Sequence, residues 1–103
     1  MIVIGRDVVE NYLVDRAGHQ GVKVARLQYR AWLTIVENAK WRNPGDVKAS
    51  YLKVSILKAG RAVFNIKGND YRLVVRVQYG ANVLEIRFFG THREYDRIDA
   101  ENV

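Results

Sequence analysis

Between Arg61 and Phe89, apolar and polar residues alternate with the period of two that half-buried strands show. Ala62, Phe64 and Ile66, then Leu73, Val75 and Val77, then Leu84, Ile86 and Phe88 share one parity. Val63, Asn65 and Lys67, then Arg72, Val74, Arg76 and Gln78, then Glu85, Arg87 and Phe89 share the other. The pattern predicts strands over about Arg61–Lys67, Tyr71–Tyr79 and Val83–Phe89. Gly68-Asn69 and Gly80-Ala81-Asn82 punctuate them as hairpins, so neighbouring strands should run antiparallel. The first nine residues are expected beneath helices, because a slip of one position would expose all of them. The second set then forms the opposite face.

Upstream the period changes. Val8, Val9, Tyr12 and Leu13 recur at helical spacing, predicting a helix from Arg6 to about Arg16. After Ala17-Gly18-His19-Gln20-Gly21, a stripe of Val22, Ala25, Tyr29, Trp32, Leu33 and Val36 predicts a second helix to about Ala39. So short a connection suggests an antiparallel helical pair. Met1–Ile4 reads as a first strand at a sheet edge. Trp41-Arg42-Asn43-Pro44-Gly45 breaks the helical pattern, and Asp46 is placed to cap a turn over Val47–Tyr51. Leu52–Gly60 carries no clear periodicity. Thr91 and Glu94 have capping-box spacing, which predicts a last helix from His92 to about Ile98. The expected fold is α+β, a helical pair on a curved antiparallel sheet, with the 103 residues forming one domain.

Seventeen Lys and Arg against eleven Asp and Glu leave a net charge of +6. On a small domain that charge favours a polyanion, although solubility alone could account for it. Four cations on the second sheet face, against the single carboxylate of Glu85, make the face the more informative feature. There are no cysteines, so disulfides and thiolate metal sites are excluded. The apolar run at the N-terminus is too short for a signal-peptide core, no run is long enough to span a bilayer, and the expected compartment is the cytoplasm.

Arg72 and Lys67 flank the first hairpin, with Asp70 in the turn as a possible partner. Glu85 can pair across strands with Arg76 or Arg87. His92 falls in the first turn of the last helix, and Tyr95, three residues on, shares its side. An imidazole titrates near neutrality, and a phenol is a weaker acid-base group unless cations assist it. His19 has no partner nearby. Two distant histidines lack metal-ligand spacing, no glycine-rich phosphate loop precedes a helix, and Ser50 and Ser55 have no visible base. Cations, an imidazole and a phenol around one groove suit a phosphodiester without a metal or cofactor.

These residues also carry a resemblance. Phe64-Asn65-Ile66-x-Gly68-Asn69-x-Tyr71-Arg72-Leu73-Val74 and Gly90-Thr91-His92-x-Glu94-Tyr95-Asp96 closely resemble the HigB family of type II toxins, messenger-RNA interferases of the RelE-like superfamily. Trp32, Trp41-x-Asn43-Pro44-x-Asp46 and Lys48-Ala49-x-Tyr51 extend the resemblance over about Trp32 to Ile98. It implies helices packed on a curved antiparallel sheet, cleavage of mRNA commonly in the ribosomal A site, and a neighbouring HigA-like helix-turn-helix antitoxin. By motif, Arg72 matches the strand arginine that acts at the scissile phosphate. Tyr95 falls near the catalytic C-terminal tyrosine, and His92 stands where RelE has an arginine. Asn65 or Lys67 takes the place of RelE's strand lysines, and spacing does not choose between them. The resemblance thus implies catalytic roles for His92, Tyr95 and Arg72. Asn65, Lys67, Arg76 and Arg87 are the expected RNA-contacting residues. Two rivals use the same basic face: a non-catalytic RNA- or DNA-binding module, in which Phe89 could stack on a base, and a domain docking an acidic protein.

Overall fold

The computed structural model describes residues 1–103. The elements are β1 (Ile2–Ile4), α1 (Arg6–Asp15), α2 (Val22–Glu37), α3 (Pro44–Ser50), β2 (Ser55–Ile56), β3 (Arg61–Ile66), β4 (Tyr71–Gln78), β5 (Val83–Thr91) and α4 (His92–Tyr95). The five strands form one sheet in the order β1-β5-β4-β3-β2. β1 takes the expected edge but runs parallel to β5, so the sheet is mixed, and its other pairs are antiparallel. The irregular 52–60 segment contributes the short β2, paired to β3 at Val63 and Ala62. No helix is long and apolar enough to cross a membrane.

The two long helices pack their predicted stripes onto one sheet face. Val22, Ala25, Tyr29, Trp32, Leu33 and Val36 are buried, as are Val9 and Leu13 of α1. They join Ala62, Phe64, Ile66, Leu73, Val75, Val77, Leu84 and Ile86 in one core. Gly5 permits the tight passage from β1 to α1: its φ is +78°, and a Cβ there would lie 2.6 Å from the Ile86 carbonyl oxygen. The turn after Trp41 starts a residue cluster earlier than Asp46 suggested. Asn43 is the N-cap, its Oδ1 accepting from the Asp46 amide at 3.0 Å, and Pro44 opens α3, where a missing N–H costs nothing.

Alternation fails at one place in β5. Val75 pairs with Ile86, but Val74 pairs with Phe88, which leaves Arg87 as the extra residue of a β-bulge. Every side chain beyond the bulge changes face. Phe89, expected on the open face, is 3% exposed in the helix-side core, where it stacks on Tyr71 and meets Tyr12 edge-on. Phe88, expected in that core, lies on the opposite face against Val63 and Val74. The two phenylalanines exchange the places that strict alternation assigns. Phe89→Ala should therefore cost about 3–5 kcal/mol, within the range for buried aromatics, and Phe88→Ala clearly less, as measured by urea unfolding.

The second face is not open throughout. After α4 the chain turns back, and Ala100 closes over Val63 and Val74 with Ile98, Val103, Phe88, Tyr95 and Leu57 around them. Val74 is fully buried on this side, between Arg72 and Arg76 along β4. Those arginines are about 13 Å apart along the strand, at ~3.3 Å per residue. The basic face is thus split into two ends by a small apolar cover.

Candidate active site

One end of the divided face is organised around the β3–β4 turn. Asn65 pairs with Arg72, and Arg72 with Gly90, placing three neighbouring strands side by side. The Arg72 guanidinium folds back so that Nη1 donates to the Asn69 carbonyl at 2.9 Å and the Tyr71 carbonyl at 3.3 Å. No carboxylate pairs with it. A half-buried cation held only by backbone carbonyls keeps most of its charge available to an incoming anion.

Lys67 does not share the face of Arg72. β3 ends at Ile66, and Lys67 turns into a left-handed conformation, φ +55°, which redirects its side chain. Its amide donates to Gln28 Oε1 at 2.6 Å, and its stem passes beside Gly21 on the helix side. Nζ binds Asp70 Oδ2 at 2.5 Å, and this hydrogen bond raises the ammonium pKa above its ordinary value. Asp70 serves Lys67 rather than Arg72. The continuous surface of Arg72, Lys67 and Arg87 that strand alternation suggests is not formed.

α4 begins against the same turn. The His92 amide donates to the Asp70 carbonyl at 3.0 Å. Thr91 and Glu94 form the expected capping box, Glu94 amide to Thr91 Oγ1 at 3.2 Å and Thr91 amide to Glu94 Oε1 at 2.8 Å. The His92 side chain is half-exposed, with Nδ1 3.0 Å from Asp96 Oδ2, one helical turn on. Imidazole and Lys67 line one cavity of about 380 Å³ with Gln20, Asn69 and Asp70. Tyr95 lies partly buried on the apolar cover, beside Phe88 and Ile98. No hydrogen bond joins it to His92. Gly90 makes this corner possible, since a Cβ there would come within 2.7 Å of the Phe88 ring and 3.0 Å of Glu94 Oε1.

Arg76 and Arg87 belong to the other end. Arg76 is exposed opposite Glu85 and Arg61, while Arg87, at the bulge, binds Glu85 at 3.0 Å. Of the two pairings open to Glu85, the ion pair is with Arg87. The structure therefore puts Lys67 and His92 in one cavity beside the turn, keeps Arg72 and its strand partner Asn65 outside that cavity's lining, sets Tyr95 on the apolar cover, and leaves Arg76 and Arg87 apart. No three His, Cys, Asp or Glu side chains converge as a metal-binding set.

Two supports were not singled out in the sequence. Asp96 orients His92, and its i, i+4 spacing was visible as a signal. Tyr12 and Arg16 of α1 hold Glu94 from 82 and 78 residues away, Tyr12 Oη donating to Oε1 at 2.6 Å and Arg16 binding Oε2 at 3.2 Å. Arg16 also lies 3.7 Å over the Tyr12 ring. No local pattern announces so distant a contact. Partial burial pushes the Glu94 carboxyl up, but the Tyr12 hydroxyl, the Thr91 groups and Arg16 together outweigh it and leave the pKa below the ordinary value. The same burial and the Glu94 contact raise the Tyr12 phenol well above its usual range. Because the folded carboxyl is the stronger acid, its stabilisation is present above the ordinary carboxylate pKa and is lost as pH falls through the lower folded value. Glu94→Gln should reduce the melting temperature at pH 7 and flatten its decline between about pH 5 and 3, the window below an ordinary carboxylate.

Comparison with known families bears on this corner directly. A model of the HigB toxin family, described as the RelE-like toxic component of a toxin-antitoxin system, matches residues 25–98. That span runs from α2 through α4 and contains the whole β3–β4 turn, Arg72, His92 and Tyr95. The chain belongs to the HigB toxin family. Comparison with curated proteins finds none that matches it. Membership makes the α+β architecture a RelE-like fold and assigns the chain to the toxic side of a toxin-antitoxin pair, with an antitoxin as its counterpart. Within this HigB fold, α1 lies outside the matched span, yet it supplies Tyr12 and Arg16 to Glu94.

Proposed function

We propose that this HigB-family toxin is a metal-independent endoribonuclease that cleaves mRNA, on ribosomes, and so inhibits translation in the cytoplasm. The whole chain acts as one toxin domain, and a HigA-like antitoxin neutralises it. The observation that carries the reading is Arg72: a guanidinium without an acidic partner, paired in the sheet with the end of β5 that leads into the Asp96-bound His92, inside the segment that matches the family.

In the reaction, the ribose 2′-oxygen attacks the adjacent phosphorus, and the bond from phosphorus to the 5′-oxygen breaks. A 2′,3′-cyclic phosphate and a 5′-hydroxyl result. Arg72 neutralises charge on the pentacoordinate phosphate, where preorganised donors contribute most. With Nδ1–H donated to Asp96, His92 Nε2 retains its lone pair and takes the 2′-proton. Tyr95 supplies the proton to the leaving oxygen. Asn65 and Lys67 contact RNA near the cut, and Arg76 and Arg87 contact it further along.

The aromatic platform of a non-catalytic binding module is weakened, since Phe89 is in the core and Phe88, which takes its place on that face, packs against Val63 and Val74. Backbone binding alone also has no use for a histidine oriented by a carboxylate. The test is induction in a cell without the antitoxin. Growth arrest accompanied by fragmentation of translated mRNAs is expected, and arrest with every mRNA intact would exclude the nuclease. Binding to ribosomes should weaken steeply between low and physiological salt, as release of counterions demands. Affinity that stays flat with salt would argue for a neutral ligand.

A further inference from the structure

β2 pairs with β3 only as far as Val63, and beyond that point the 50–54 loop stands away from the strand. A cavity of about 420 Å³ opens between them, within the ~300–1,000 Å³ usual for small-molecule sites. The half-buried Tyr51 ring gives it an aromatic side, backed by the buried Phe64, perpendicular to it with centroids 5.1 Å apart, and Leu52, 88% exposed, stands at its rim. The polar side comes from Ser50, Asn65 and Asn69. Ser50 Oγ accepts from the Trp41 indole at 3.0 Å and so keeps its own proton to donate. Neither asparagine side chain is engaged within the protein.

We propose that this cavity binds one unstacked nucleobase of the RNA beside the cut and sets the toxin's sequence preference. A base has apolar faces and an edge of donors and acceptors, and unpaired RNA is read by stacking on aromatic side chains and hydrogen bonding to that edge. The cavity offers both kinds of wall. Its position matches the chemistry, because Asn65 pairs with Arg72 and the Asn69 carbonyl holds the Arg72 guanidinium. Asn69 also lines the cavity that contains His92, so one residue borders the base pocket and both reactive groups. The inference rests on the nuclease reading above and adds which part of the substrate is recognised, and where.

The test is transcriptome-wide mapping of 5′-hydroxyl ends in cells expressing the wild type, Asn69→Ala, Ser50→Ala or Arg72→Ala. Wild-type ends should show enrichment of a base at one fixed position next to the cut. Asn69→Ala and Ser50→Ala, each removing hydrogen-bonding groups and leaving Arg72 and His92 in place, should lower that enrichment by about 2–10-fold, the equivalent of one hydrogen bond, while the number of cut transcripts stays similar. Ser50 ends α3, away from the turn, so Ser50→Ala remains informative if Asn69→Ala disturbs the turn. Wild-type cuts without a base preference, or a preference unchanged in both variants, would overturn the pocket and leave the nuclease standing. If the wild type generated no more 5′-hydroxyl ends than Arg72→Ala, the nuclease reading itself would fail.

Discussion

Arg72→Ala is expected to abolish mRNA cleavage, with a loss of about 10²–10³-fold in rate, the range found when one preorganised donor to a developing anion is removed. The fold should survive. The Arg72 side chain contributes two hydrogen bonds to carbonyls of its own turn and no ion pair, and the sheet beneath it is held by Leu73, Val74 and Val75, all fully buried. Single-turnover cleavage in a translating extract measures the first quantity, and thermal melting the second. A variant that melts as the wild type does but no longer cuts would place Arg72 in the chemistry. Arg76→Ala, at the far end of the divided face, should reduce binding and leave the rate at saturation nearly unchanged.

His92→Gln is expected to be nearly as severe, about 10²–10⁴-fold, the contribution typical of a positioned acid or base. Glutamine keeps a polar side chain of similar reach but cannot titrate. Stability should change little, since the imidazole is half-exposed and its Asp96 contact lies at the surface. Tyr95→Phe separates the hydroxyl's chemistry from the ring's packing on Val63 and Val74. Loss of cleavage with unchanged melting would give the tyrosine its proton-transfer role. If the histidine variant alone stayed active, Tyr95 would carry the acid-base work with Arg72.

The residues that could be read in advance are those with a local cause. Two glycine-bearing turns and an unbroken alternation made β3 and β4 legible, and the Thr91–Glu94 spacing located the start of α4. The bulge at Arg87 was not legible because the doublet Phe88-Phe89 is apolar at both parities, so either phenylalanine satisfies alternation. Lys67 was misplaced for a related reason: a strand's polar parity continues in the letters after the backbone has turned left-handed. The cover of Ile98, Ala100 and Val103 over Val74 comes from a polar tail with only three apolar residues, too sparse for a periodicity. Motif and turn together put Arg72 and His92 at one corner, whereas the contacts of Tyr12 and Arg16 with Glu94 depend on tertiary packing across most of the chain.

The chemistry of the cut ends tests the central claim most directly. An mRNA cleaved in a translating extract by the wild-type toxin should yield upstream fragments ending in a 2′,3′-cyclic phosphate, or the 3′-phosphate it opens to, and downstream fragments beginning with a 5′-hydroxyl. Those ends require attack by the 2′-oxygen, the step assigned to His92, Arg72 and Tyr95. Fragments ending in a 3′-hydroxyl and beginning with a 5′-phosphate would mean that water attacked instead, and would contradict the mechanism.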